Sequence, residues 1–150
     1  MLKKVITFRD AESAILFQQT QKVNRFDRSL RCLAEKMSEI MRKADGLGLA
    51  GPQVNSNLAI CLVIRGDKTI ALCNPKIVDC SEEKVTMEEG CLSFPDIFLR
   101  ITRPRAIKVE YQDLKGKKKK LEAGGIFART VQHEIDHLEG VVFTARADSK

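Results

Sequence analysis

Both histidines of the chain stand in one five-residue window, as His133 and His137 of "TVQHEIDHLEG". On a helix, residues four apart lie one above the other on the same face. Two imidazoles at that spacing converge, as two ligands of a metal ion must. Glu134, about 100° further round the helix, can reach a water on such an ion without ligating it. HExxH is therefore the spacing of metal-assisted hydrolysis: the ion acidifies a water, the glutamate takes its proton, and a polarised carbonyl is attacked. Two incidental histidines on a helix would produce the same letters. Against that, the chain holds no other histidine, and the residues around these two are patterned as an amphipathic helix.

Two ligands do not complete a site. Zinc peptidases take a third from well downstream, but only 13 residues follow His137. Glu139 points to the opposite side of the helix, and Asp148 reads as tail. Upstream, "EEGCLSFP" (88–95) frames Cys91 with Gly90 and Pro95, as a tight turn leaving a strand would. A thiolate is a good ligand for zinc or ferrous iron. Alone, Cys91 reads as one more buried thiol; beside HEIDH, ligation is the better reading.

Two helices and a set of strands must position these groups. Residues 27–45 carry Leu30, Leu33, Met37, Ile40 and Met41 at spacings of three and four, which predicts a helix with one apolar stripe. Asp27 suits its N-cap and Gly46 its stop. The second helix spans "AGGIFARTVQHEIDHLEG", with Ile126, Phe127, Val131, Ile135 and Leu138 expected inside and Gly140 as the stop. "GLGLAGPQ" (46–53) is too rich in Gly and Pro to be read as helix or strand. Strands are predicted at 58–64, at "TIALCNP" after an RGDK turn, and at 76–80, 84–89 and 106–111. The lysine run 115–120 continues an edge strand, where lysine discourages unwanted pairing. Strands between two separated helices predict an α+β fold.

At 150 residues, with 43% hydrophobic and 31% charged side chains, the composition is that of one soluble domain, 1–150. Five cysteines with no CxxC pair and no export signal favour free thiols in a reducing cytoplasm. No apolar run approaches a membrane span. The net charge of +6 owes much to the lysine run, read as a solvated hairpin tip, with polyanion contact as the alternative. Arg103 is read as a partner for Asp136 or Glu89.

Three stretches, "GLGLAGPQ", "EGCLS" and "QHEIDHLEG", together resemble the motifs of peptide deformylase, in the same order and at matching separations, over roughly residues 26–143. The resemblance implies an α+β fold with antiparallel sheets packed around a central HExxH helix, beside the long N-terminal helix. It implies removal of the formyl group from the formyl-methionine of newly made polypeptides, releasing formate. The metal ligands it implies are Cys91, His133 and His137. The ion is expected to be Fe2+ in the cell, with Zn2+, Ni2+ or Co2+ in preparations. Glu134 would be the general base and then the acid. The Gln53 side chain and the backbone N–H of Leu92 would donate to the oxyanion, and Leu47, Gly48, Ile126 and Thr130 would edge the methionine pocket. The implied partners are N-formylmethionyl nascent peptides and the ribosome; a monomer acting in the cytoplasm, off the membrane, is expected.

The chain departs from the family pattern in three places. Ala50–Gly51 replaces two alanines, which is expected to loosen the loop holding Gln53. The Pro-containing stretch usual near the start is absent, so residues 9–22 receive no assignment. The chain also stops soon after "VVFTARADSK", where many relatives continue into a segment that helps ribosome docking; the lysine run is the substitute surface considered. Two rival readings stand beside this one. A zinc peptidase would cleave unformylated peptides and use a ligand other than Cys91. A non-catalytic metal- or RNA-binding protein on the same fold would not need Glu134 and Gln53.

Overall fold

The structure, a computed structural model, describes residues 4–147. Asp148, weighed above as a ligand, lies outside them. Helix α1, Arg28–Lys43, buries Leu30, Ala34, Met37 and Met41. Asp27 caps it, its carboxylate accepting from the Leu30 N–H at 3.2 Å. The stop differs from the expected one. Asp45 takes the left-handed conformation (φ 58), and the Gly46 N–H returns to the Met41 carbonyl at 2.9 Å. Gly46 meets a different need, since a Cβ there would stand 2.9 Å from Leu92 Cδ1.

Seven strands follow: β1 Gly48–Ala50, β2 Ile60–Arg65, β3 Lys68–Cys80, β4 Lys84–Cys91, β5 Phe94–Pro104, β6 Ala106–Gln112 and β7 Lys118–Gly124. Helix α2, Gly125–Leu138, follows, Gly140 (φ 75) ends its final turn, and a 3-10 turn at Phe143–Arg146 comes after it. The strands form a five-stranded sheet in the order β1-β2-β3-β6-β7 and a separate pair, β4-β5. All named pairings are antiparallel. The class is mixed α+β.

Three expectations are corrected here. The glycine-rich stretch 46–53 is ordered as β1, paired Gly48↔Val63 to Ala50↔Cys61, followed by a 3-10 turn at Gly51–Val54. The strand predicted at 76–80 is the end of one 13-residue strand, β3. β5 was not predicted at all.

Alternation along β2 puts the helices on opposite faces of the large sheet. Cys61 and Val63 pack with Ala128, Val131, Ile135 and Leu138 of α2. Ile60 and Leu62 pack with Leu30, Met37 and Met41 of α1. A third apolar cluster, with Leu16, Phe94, Ile101 and Phe143, lies under the small sheet. The lysine run ends on β7, an outer strand, where Lys120 pairs with Glu110 at 3.8 Å and Lys119 with Asp113 at 3.5 Å.

Gly51 does not loosen its loop. It is buried, and a Cβ on it would lie 2.7 Å from the Leu58 carbonyl oxygen and 3.1 Å from that of Ser56. Glycine is what lets the 56–58 backbone close over this turn.

Candidate metal centre

Helix α2 is buried on nearly every side from Ala128 to Leu138. A helix so placed must find partners for its polar side chains, because an unpaired buried charge is costly. His133 and His137 stack edge to face with ring centroids 5.0 Å apart. Cys91 ends β4 at a register irregularity and pairs across the tight Leu92–Ser93 turn with Phe94. The ligand atoms of Cys91, His133 and His137 all lie within 4.8 Å of one another. Cys91 Sγ and His137 Nε2 are 3.3 Å apart. Two such ligands on a tetrahedral zinc stand about 3.6 Å apart, so the donor set and its spacing fit a divalent ion. Among the described residues, the buried atoms Glu134 Oε2 and His137 Nδ1 have no hydrogen-bond partner. Buried polar atoms are nearly always paired in finished sites, which is consistent with groups awaiting an ion, water or substrate. Glu139, the other candidate near the helix end, is exposed.

Glu89 orients His133. Its Oε1 meets His133 Nδ1 at 3.0 Å, which turns Nε2 toward the cluster. Arg103 donates to the same carboxylate through Nε at 2.6 Å and Nη2 at 3.0 Å, and through Nη1 to Asp136 at 2.9 Å. It therefore serves both partners considered from the sequence. Arg129 Nη1 also donates to Glu89 Oε2. Burial alone would raise the Glu89 carboxyl, but the His133 and Arg103 contacts outweigh it and hold it at about 2. Burial would likewise lower His133; the Cys91 and Glu89 contacts instead raise it to about 10, so ligation there displaces a proton. His137, wholly buried, is pushed well down. Burial raises Glu134 to about 7, against the pull of His133 and Arg103.

Gln53 sits in the 3-10 turn with its orientation set from both ends. Its Oε1 accepts from the Ala50 N–H at 3.0 Å; its Nε2 donates to Ser93 Oγ at 3.1 Å and stands 3.8 Å from Cys91 Sγ. Gly48 makes room for the glutamate, since a Cβ there would meet Glu134 Oε1 at 2.9 Å.

These groups lie along a cavity of about 570 Å³ whose walls include Leu47, Gly48, Gln53, Leu92, Ile126, Thr130, His133 and Glu134. Ile126, which the apolar pattern put inside and the family resemblance put at the pocket edge, is 61% exposed and stands on the cavity wall with Leu47 (56%) and Phe98 (63%). Several contributors were not foreseen: Ser93, Arg129, Phe98, Phe143, whose ring lies 5.8 Å from that of His133, and Arg146, which binds Asp136 through Nε at 3.1 Å and Nη2 at 3.0 Å. Two of them left a trace in the sequence: Ser93 closes the EGCLS stretch, and Arg129 stands one turn before His133 on the same helix face.

The family model described as polypeptide deformylase matches residues 2–150. A peptide deformylase of Thermosynechococcus vestitus is 42% identical over 141 residues, covering 91% of this chain and 75% of the relative. One from Treponema pallidum is 43% identical over 131 residues, covering 87% and 81%. The crystal structure of the Thermotoga maritima peptide deformylase superposes with a TM-score of 0.93 at 38% identity, covering 99% of both chains.

Proposed function

The chain belongs to the polypeptide deformylase family of hydrolases, and from that premise we propose that it removes the formyl group from the N-terminal formyl-methionine of newly made polypeptides. The observation that carries the reading is the convergence of Cys91, His133 and the wholly buried His137 at a cavity that Cys91 and His133 line together with Glu134 and Gln53. An ion held by those three ligands would supply Lewis acidity and a more acidic water; ferrous iron is the ion proposed for the cell, with zinc, nickel or cobalt able to replace it.

The chain's own residues do the rest. Glu134 accepts the proton of the attacking water at a carboxylate oxygen, and its value near 7 suits that exchange at neutral pH. The water oxygen bonds to the formyl carbon. Gln53 Nε2, aimed by the Ala50 N–H, donates to the oxygen that becomes negative, and the backbone N–H of Leu92 is the second donor. Glu134 then returns the proton to the leaving amine nitrogen, the formyl C–N bond breaks as the oxyanion re-forms its carbonyl, and the acid gives up its remaining proton to the amine or solvent, so that formate departs. The methionine side chain lies against Leu47, Gly48, Ile126 and Thr130. β1, an edge strand beside the cavity, offers backbone groups to an extended peptide. Residues 1–150 act as one catalytic unit and a monomer on nascent chains in the cytoplasm, and the lysine strand is the surface offered to a ribosome.

The test is formate release from formyl-Met-Ala-Ser by iron-, nickel-, cobalt- and zinc-loaded protein, beside unformylated Met-Ala-Ser. Release from the formylated peptide alone is expected. No release with any ion, or cleavage of internal peptide bonds, would overturn the reading.

A further inference from the structure

Cys91 and the two histidines belong to different parts of the fold. Cys91 ends the small β4-β5 sheet, while His133 and His137 ride on a helix whose apolar face packs against the large sheet. Something must set the distance between the two parts. Taking these three residues as metal ligands, we propose that Arg129 is the clasp that does so, a positioning residue tying both strands of the small sheet to the helix that carries the histidines.

Arg129 stands one turn before His133 and two before His137. Its Nη1 donates to Glu89 Oε2 on β4 and to the Ile101 carbonyl on β5 at 3.0 Å; its Nη2 donates to the Val85 carbonyl on β4 at 2.6 Å. One planar fork thus holds three points on two strands, a reach the rigid guanidinium has and an ammonium lacks. The side chain is buried, and Glu89 supplies the opposite charge. Other links do less. Gln132 Nε2 reaches the Pro104 carbonyl on β5, His133 Nδ1 meets β4 at the Glu89 side chain, and Arg103, rooted in β5, joins that same carboxylate to the Asp136 side chain, so neither His133 nor Arg103 grips the β4 backbone. Among the described hydrogen bonds, those of Arg129 alone join an α2 side chain to the β4 backbone. Without them, α2 keeps its seat through Ala128, Val131, Ile135 and Leu138, while β4, apart from the Cys91 ligand itself, is held to the helix through the Glu89 side chain alone, by His133 and by Arg103, so that the β4 backbone and its terminal Cys91 gain the freedom of that side chain to shift against the histidines.

Cobalt(II) is the probe, because its absorption reports ligand geometry as well as occupancy. Arg129→Met keeps the apolar stem and leaves Glu89 with Arg103 and His133. It should lose roughly tenfold or more in cobalt affinity, as loss of a ligand-orienting group does. Its thiolate-to-cobalt and ligand-field bands should shift, and the rise in Tm on cobalt binding should shrink more than the metal-free Tm falls. Arg129→Lys, which retains a charge for Glu89 but cannot span both carbonyls, should fall between the two, and it decides the matter if the methionine variant does not fold. Cobalt affinity within twofold of wild type and an unchanged spectrum in the variant would overturn the clasp alone. Wild-type protein that takes up no cobalt would overturn the ligand assignment and the clasp with it.

Discussion

Glu89→Gln tests whether one carboxylate holds the charge of the buried network. Glu89 Oε2 receives Arg103 Nε and Arg129 Nη1, and Oε1 receives Arg103 Nη2 and His133 Nδ1. The amide of glutamine has one acceptor and one donor end. Whichever way it lies, its NH2 faces a pair of nitrogens that had been bonded to oxygen. Arg103 keeps Asp136, and Arg129 keeps two carbonyls, so neither guanidinium is stripped bare. Removing one partner of a buried ion pair costs about 3–5 kcal/mol. With an unfolding entropy of about 2.1 cal/mol/K per residue, a chain of 150 residues loses 1 °C for about every 0.3 kcal/mol. The expected fall in Tm is therefore about 10–15 °C. It is measured by thermal unfolding of metal-free protein at neutral pH, so that ion loss does not contribute. A fall of less than about 3 °C would refute the reasoning, since the arginines would then not depend on this carboxylate.

Four further outcomes are expected. Glu134→Gln should bind cobalt about as wild type does and lose roughly 10²–10⁴-fold in formate release; a loss of only a few fold in a peptide assay would name another base. Gly51→Ala should destabilise by about 1–3 kcal/mol, because its methyl meets the Leu58 carbonyl at 2.7 Å, and an unchanged unfolding curve would contradict that contact. With metal bound, a thiol reagent at neutral pH should modify the exposed Cys32 and Cys80, and after chelation Cys91 as well. Cys61 and Cys73 are buried, and burial pushes Cys73 up to about 11, so both should stay silent until the chain unfolds. Iron-loaded protein should lose activity faster in air than under argon while nickel-loaded protein does not; equal half-lives in all four conditions would remove the consequence drawn from iron.

What was legible in the sequence was mostly local. The stripe of α1 and its Asp27 cap, and the i, i+4 histidines of α2, depend on residues a turn apart. β1 was hidden because its pairing comes from β2, more than ten residues away, while its own letters advertise only glycine. β5 in fact alternates, with Ile97, Leu99, Ile101 and Arg103 less exposed than their neighbours, but Pro95, Pro104 and an arginine on the covered side disguise the pattern. Ile126 shows another limit. An apolar helix face does not say whether it meets core or an open cavity. Ser93, Arg129 and Arg146 act through contacts made by folding, which composition and spacing do not announce.

The large sheet ends differently on its two sides. β7 presents Lys118, Lys119 and Lys120, so a second copy approaching edge-on meets like charge, and an alien strand is discouraged. β1 carries no charge and is three residues long, about 10 Å of backbone at about 3.3 Å per residue. Two or three residues of an extended guest exhaust its donors and acceptors, and a longer strand gains nothing from the remainder. Pairing of this kind is blind to side chains. On the reading proposed here, the template can sample the loose starts of many unrelated chains and release them as readily.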